Sequence, residues 1–152
     1  MVDRGLLESY LHANIPLSAA MGVEVHEWTD KAVTLKAPLA PNINHHRTAF
    51  GGSISTIATL AAWSYVHSCL RLRNVTASLV IQRHEIDYRL PITGDFMAKN
   101  REVSKADLDT FFARLSKRGR ARLTVESEVR FEDLLCAAFT GQFVAMRESG
   151  QD

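Results

Sequence analysis

Apolar residues return along this chain at two different spacings, and the change from one to the other outlines its elements. Leu6, Leu7, Tyr10 and Leu11 recur near one and two helical turns with Glu8 and His12 off that face, which predicts a short amphipathic helix over residues 3–12, ended by Pro16. Residues 22–28 and 32–37, broken at 29–31, read as two short strands joined by a turn, and Pro38 and Pro41 stop the second. Residues 53–70 are too long for one strand and apolar on most sides. They predict a helix of roughly five turns, at about 1.5 Å rise per residue, that must be covered almost completely.

The cover follows in sequence. Ile86, Tyr88 and Leu90 alternate with Glu85, Asp87 and Arg89, predicting a strand with one apolar and one polar face and placing Tyr88 in the core. Residues 91–95 form a turn and 96–103 a weaker strand. Ser104 and Asp107 give a capping pattern ahead of Leu108, Phe111, Phe112 and Leu115, which share one helix face, and Gly119 closes that helix. Leu123, Val125, Val129 and Phe131 alternate with Thr124, Glu126, Glu128 and Arg130 in a clearer strand, and residues 135–146 supply a last, largely buried one. One long helix among consecutive, mostly antiparallel strands is an α+β layer architecture in which a curved sheet wraps that helix. No repeat or low-complexity linker interrupts it, so residues 1–152 are read as one domain.

Composition narrows the partners. Lys plus Arg (18) nearly balances Asp plus Glu (17), which leaves no strong positive field of the kind nucleic acid binding uses. Cys69 and Cys136 sit in apolar runs without CxxC spacing, fitting buried thiols in a reducing compartment, and a cytoplasmic location is expected. The N-terminus has no uninterrupted apolar core of the kind a signal peptide needs. The most membrane-like stretch, residues 48–70, holds Gly51, Gly52, His67 and several hydroxyls, so no membrane association is expected.

Chemistry concentrates where a polar, histidine-bearing loop meets Gly51 and Gly52 just ahead of the long helix. Paired glycines there let a ligand approach bare backbone N–H groups at the positive end of the helix dipole, a setting that stabilises a carbonyl oxygen or oxyanion. Adjacent His45 and His46 would point to opposite sides of an extended loop, so no metal site is expected. Asn44 could act on a ligand or simply cap a turn. The hydroxyls of Ser53, Ser55 and Thr59 could serve a ligand or only satisfy helix carbonyls.

The segment Asn44, His45, His46, Arg47, Thr48, Ala49, Phe50, Gly51, Gly52 resembles the N-x-x-G-T-x-H-G-G signature of hotdog-fold acyl thioesterases. With Asn42, Ser53, the Tyr88, Arg89, Leu90, Pro91 strand end and Gly119, Arg120, Ala121, Arg122 further on, the chain looks most like the YiiD-type thioesterase family. That resemblance implies a homodimer or dimer of dimers acting on acyl groups carried by coenzyme A or acyl carrier protein. It implies no cofactor beyond the coenzyme A moiety of the substrate. Asn44 takes the position of the asparagine that touches the thioester carbonyl, and Gly51 and Gly52 those whose amides complete the oxyanion hole.

Three departures matter. Phe50 replaces the histidine before the glycine pair, Arg47 replaces a glycine, and Thr59 stands where many relatives carry the helix carboxylate that acts as base or nucleophile. A threonine hydroxyl cannot take over base catalysis unaided. The candidate bases are His45, His46, Glu85 and Asp87, with His46 preferred because an imidazole's ordinary pKa, about 6.5, suits proton transfer near neutrality. Asn42, His45, Thr48, Phe50, Ser53 and Thr59 are expected around the substrate. Arg118 and Arg120, with Lys117 and Arg122, form either a solvated strand edge or a clamp for coenzyme A phosphates or an acidic carrier. Hydrolysis is the expected activity; non-catalytic acyl binding or regulation is the alternative, and a hydratase ranks last for want of an acid–base pair.

Overall fold

The computed structural model describes residues 3–148. Helix α1 (Arg4–Asn14) starts at Asp3, whose carboxylate accepts from the Gly5 and Leu6 amides, and buries Leu7 and Leu11. Pro16 ends α1 as expected, but it also sits at the start of a second short helix, α2 (Pro16–Ala20). Its fixed φ and missing N–H suit a first helical position.

Strands β1 (Glu24–Trp28) and β2 (Val33–Ala37) form the expected pair. A 3-10 turn at Ala40–Asn42 leads to the central helix α3 (Gly51–Leu72), 22 residues long, then β3 (Ala77–Tyr88), β4 (Phe96–Asn100), α4 (Lys105–Arg118), β5 (Arg120–Phe131) and β6 (Leu134–Arg147). Ser104 caps α4 by accepting from Asp107 N–H, and Gly119 ends it at φ 73°, in the left-handed region. All six strands lie in one antiparallel sheet, ordered β1-β2-β4-β5-β6-β3. The inward residues Leu35, Ala98, Leu123, Val125, Val129, Phe139 and Phe143 pack with Ile57, Ala58, Ala61, Ala62 and Val66 of α3 in one core. The expected α+β arrangement, a curved sheet around a long helix, is what the chain adopts.

The two edges of that sheet are treated differently. At the β1 edge, side chains one turn apart on α1 hook the strand backbone: Arg4 Nη1 donates to His26 O (2.7 Å), Glu8 Oε1 accepts from Val25 N (2.9 Å), and His12 Nε2 bonds to Val23 O (2.7 Å). Helix α1 therefore covers that edge. The β3 edge, twelve residues long, carries no comparable series of hooks among the described residues, its backbone being reached by a helix side chain only where Trp63 Nε1 meets Leu79 O.

Two sequence expectations need correction. Helix α3 begins at Gly51, so the glycine pair is its first turn and does not precede it. Strand β3 starts eight residues before Glu85, and Tyr88 at its end is 53% exposed, as Leu90 also is exposed, so neither lies in the core. The strand end lies against Gly51, which has no side chain to bury it.

Candidate functional site

The loop that feeds α3 is built on side-chain amides. Asn42 is 2% exposed, and its Nδ2 donates to Met21 O (2.9 Å) and Pro38 O (2.8 Å). Its carbonyl accepts from Phe50 N (2.7 Å), which pins the loop's exit beside its entrance. Expected among the substrate contacts, Asn42 is instead a buried scaffold residue.

Asn44 organises the loop tip. Its Oδ1 accepts from His46 N (2.8 Å) and Thr48 N (3.1 Å), and its Nδ2 donates to Thr48 Oγ1 (2.9 Å). These bonds curl the chain into a turn in which Arg47 takes φ 62°. That value explains why the signature has a glycine there: only glycine adopts it without a steric cost. The turn also overturns the expectation that His45 and His46 diverge. Their exposed rings lie together, centroids 4.0 Å apart. Among the described residues no group of three His, Cys, Asp or Glu could hold a metal ion.

At the start of α3, Phe50 is the N-cap and offers no side-chain acceptor to the first amides. Among the described residues, neither Gly51 N–H nor Gly52 N–H meets a protein acceptor. The peptides carrying these donors are nonetheless held at their carbonyl ends. Phe50 O accepts from Ser53 N (2.9 Å) and Ile54 N (3.1 Å), and Gly51 O accepts from the Tyr88 hydroxyl (3.1 Å). Gly52 O accepts from Ser55 Oγ (3.0 Å) and Thr56 Oγ1 (2.7 Å). Two N–H groups without a protein acceptor among the described residues thus stand at the positive end of a long helix, on peptides whose carbonyls are hydrogen-bonded, the arrangement that favours negative charge.

The two glycines sit in different surroundings. A Cβ on Gly52 would meet the ring of Phe50, which folds over it and would have to swing aside into solvent. A Cβ on Gly51 would lie 3.6 Å from the Tyr88 ring, ordinary contact, and Gly51 has no positive φ. Neither packing nor backbone strain therefore calls for glycine at 51. Two exposed aromatic rings, Phe50 at 55% and Tyr88 at 53%, flank the pair.

Further along α3, half-buried Gly52, Ser55, Thr56, Thr59, Trp63 and His67 trace one stripe at helical spacing. Thr59 Oγ1 donates to Ser55 O (2.8 Å), closing a local bond within the helix. Trp63 Nε1 donates to Leu79 O (3.0 Å), and its ring stacks on His67, which stacks in turn on Tyr10 of α1. Burial between those rings, aided by the charge of Arg71, pushes His67 down to about 4, so it stands neutral. Cys69 and Cys136 are free and buried, and burial raises the Cys69 thiol, which disfavours a thiolate nucleophile there.

Several expected site residues lie elsewhere. Glu85 and Asp87 alternate with Ile86 and Tyr88 on β3, so they project from the opposite face of the sheet to the side that meets α3. Arg118 and Arg120 are exposed around Gly119, whose carbonyl accepts from Arg147 N (2.9 Å). Arg147 pairs with Ala77 at the start of β3, whereas Gly51 is bonded to Tyr88 at its end. At about 3.3 Å per residue these ends stand roughly 36 Å apart, so one chain does not bring the arginines to the glycine pair. Ser53 remains in the first turn, its amide committed to Phe50 O. The residue that the sequence reading missed is Tyr88. Its one available signal was that the strand ends in tyrosine and not phenylalanine, because the core position expected for it would have left a phenol in need of a hydrogen-bond partner.

Residues 5–147 match the family model described as "Putative thioesterase (yiiD_Cterm)". The structure of a putative thioesterase from Shewanella oneidensis is similar at 33% identity and TM-score 0.83, covering 94% of this chain and 96% of that one. A protein of unknown function from Chlorobaculum tepidum TLS is similar at 27% identity and TM-score 0.89, covering 95% and 94%. A thioesterase from Haemophilus influenzae shares the fold at 12% identity and TM-score 0.78, covering 99% and 96%. The sheet wrapped around α3 is the hotdog fold that the resemblance implied.

Proposed function

Because the chain belongs to the thioesterase family of the YiiD C-terminal domain, we propose that it hydrolyses an acyl thioester of coenzyme A or acyl carrier protein at the N-terminus of α3. The observation that carries this reading is the pair of amides without a protein acceptor among the described residues, Gly51 N–H and Gly52 N–H, on peptides hydrogen-bonded at their carbonyl ends. Attack of water on the thioester carbon puts negative charge on the carbonyl oxygen, and donors already aimed at that oxygen stabilise it without reorganising. The tetrahedral species then expels the thiolate and leaves the acid. Asn44 Nδ2, with one proton committed to Thr48, has a second for the carbonyl or the attacking water.

His46 is the proposed base, taking the proton from water and returning it to the departing thiolate. Its support is partly by elimination: the Thr59 hydroxyl is committed to Ser55 O, and Glu85 and Asp87 lie across the sheet. The lack of a helix carboxylate at Thr59 favours a second reading, acyl binding without turnover. The open β3 edge supports assembly of two copies by antiparallel β3–β3 pairing. Such a pair would bring Arg118 and Arg120 of one chain toward the Gly51 end of its partner, where they could meet phosphates or an acidic carrier. The two free buried thiols suit the reducing cytoplasm.

Steady-state hydrolysis across a panel of acyl-CoA and acyl-carrier substrates tests the proposal. Turnover that Asn44→Ala lowers more than about tenfold supports it; calorimetric binding with no turnover would establish the second reading instead. Sedimentation tests the assembly, and mixing R118E/R120E chains with chains blocked at Gly51 should restore partial activity only if sites are shared.

A further inference from the structure

We propose that Tyr88 is the positioning residue of the oxyanion site, setting the Gly51–Gly52 peptide so that Gly52 N–H faces the substrate. The inference rests on the hydrolytic reading above. Its basis is one peptide group seen from both ends: Tyr88 Oη donates to Gly51 O at 3.1 Å, and the N–H of that same peptide, on Gly52, has no protein acceptor among the described residues.

The neighbouring donor peptide shows what Tyr88 adds. Gly51 N–H belongs to a peptide whose carbonyl, Phe50 O, is held by two amides of the helix itself, from Ser53 and Ile54. The peptide bearing Gly52 N–H receives its extra bond from outside the helix, from the end of β3. Bonding at a peptide carbonyl polarises the group and strengthens its N–H as a donor. It also resists tilting of a peptide flanked by two glycines, where backbone freedom is greatest.

Contacts and exposure agree. Atoms of the Tyr88 ring and hydroxyl lie 3.6 to 3.7 Å from the place a Gly51 Cβ would occupy, so the ring rests against the bare first turn. The ring is exposed rather than buried, so hydrophobic packing is a weak reason for its place there. Because Tyr88 closes β3, its hydroxyl also ties the long strand at the open edge of the sheet to the helix that carries the donors.

Tyr88→Phe removes the hydroxyl and keeps the ring. Two readouts are needed on the purified full chain: kcat and KM for a substrate that the wild type turns over, and the amide 15N resonances of Gly51 and Gly52. The proposal expects kcat to fall about tenfold with KM within about twofold, since one hydrogen bond acting in the transition state is lost. The Gly52 15N resonance should move while Gly51 stays. Unchanged kcat beside a wild type that turns over overturns the role of Tyr88 alone, as does an unmoved Gly52 resonance. Failure of the wild type to hydrolyse any thioester removes the catalytic reading and this inference together.

Discussion

The two ends of α3 do opposite things with the same helical backbone. From Leu60 to Leu70 nearly every side chain is buried, and the half-buried exceptions, Trp63 and His67, are roofed by Tyr10. That half is a packing element. At the other end, Gly51 and Gly52 present no side chains, their amides meet no acceptor among the described residues, and the neighbouring rings of Phe50 and Tyr88 stand exposed. Stability is concentrated toward one end and accessible backbone at the other, so substitutions should separate the two properties.

The sharpest separation is Gly51→Pro. Proline is favoured at the first helical position, and Phe50 already has φ −64° and ψ 135°, the extended conformation a residue before proline prefers. The substitution deletes one unpaired N–H and little else. Hydrolysis should fall by about 10² to 10³, while the urea midpoint is retained or raised. Parallel loss of both would show that the first turn serves the fold.

Asn44 and Thr59 come next. Asn44→Ala should lower hydrolysis more than about tenfold, because it removes three loop bonds and a proposed ligand donor. Thr59→Ala removes only a local bond to Ser55 O and should change the rate by less than about threefold. Equal losses in paired kinetic assays would mean that Thr59 touches the reacting atoms.

The packed end should respond to pH. The ordinary histidine value is 6.5 and burial lowers His67 to about 4, so between those values the unfolded chain binds a proton that the folded chain does not. Its contribution is therefore complete above about pH 6.5, declines as pH falls, and levels off near pH 4. Urea titrations should show this slope, and His67→Gln should flatten it. The smallest effect belongs to Arg47→Gly, which relieves the left-handed backbone but frees the unfolded chain. Stability should change by less than about 1 kcal/mol.

What was legible in the sequence was what periodicity and short-range chemistry encode. Alternation in residues 123–131 and the long apolar run marked β5 and α3, and the cap at Ser104 and stop at Gly119 marked α4. The first half of β3 escaped because Leu79, Val80 and Ile81 form an unbroken apolar run, with Val80 exposed on the open edge. Within the site, Asn44, Gly51 and Gly52 stood out because they belong to one short stretch, the loop and the first turn of α3. Tyr88 is 37 residues from Gly51, and no local pattern connects them. Arg118 and Arg120 differ again: within one chain they lie toward the end of β3 opposite Tyr88, a separation that no local sequence pattern encodes.

What the amides at the mouth of α3 bind decides whether this helix start is an oxyanion site. A crystal structure with a non-hydrolysable acyl-CoA analogue should place the acyl oxygen about 2.7–3.1 Å from the Gly51 and Gly52 nitrogens. An acyl oxygen bound elsewhere, with those two amides facing solvent or taken by a protein acceptor, would contradict it.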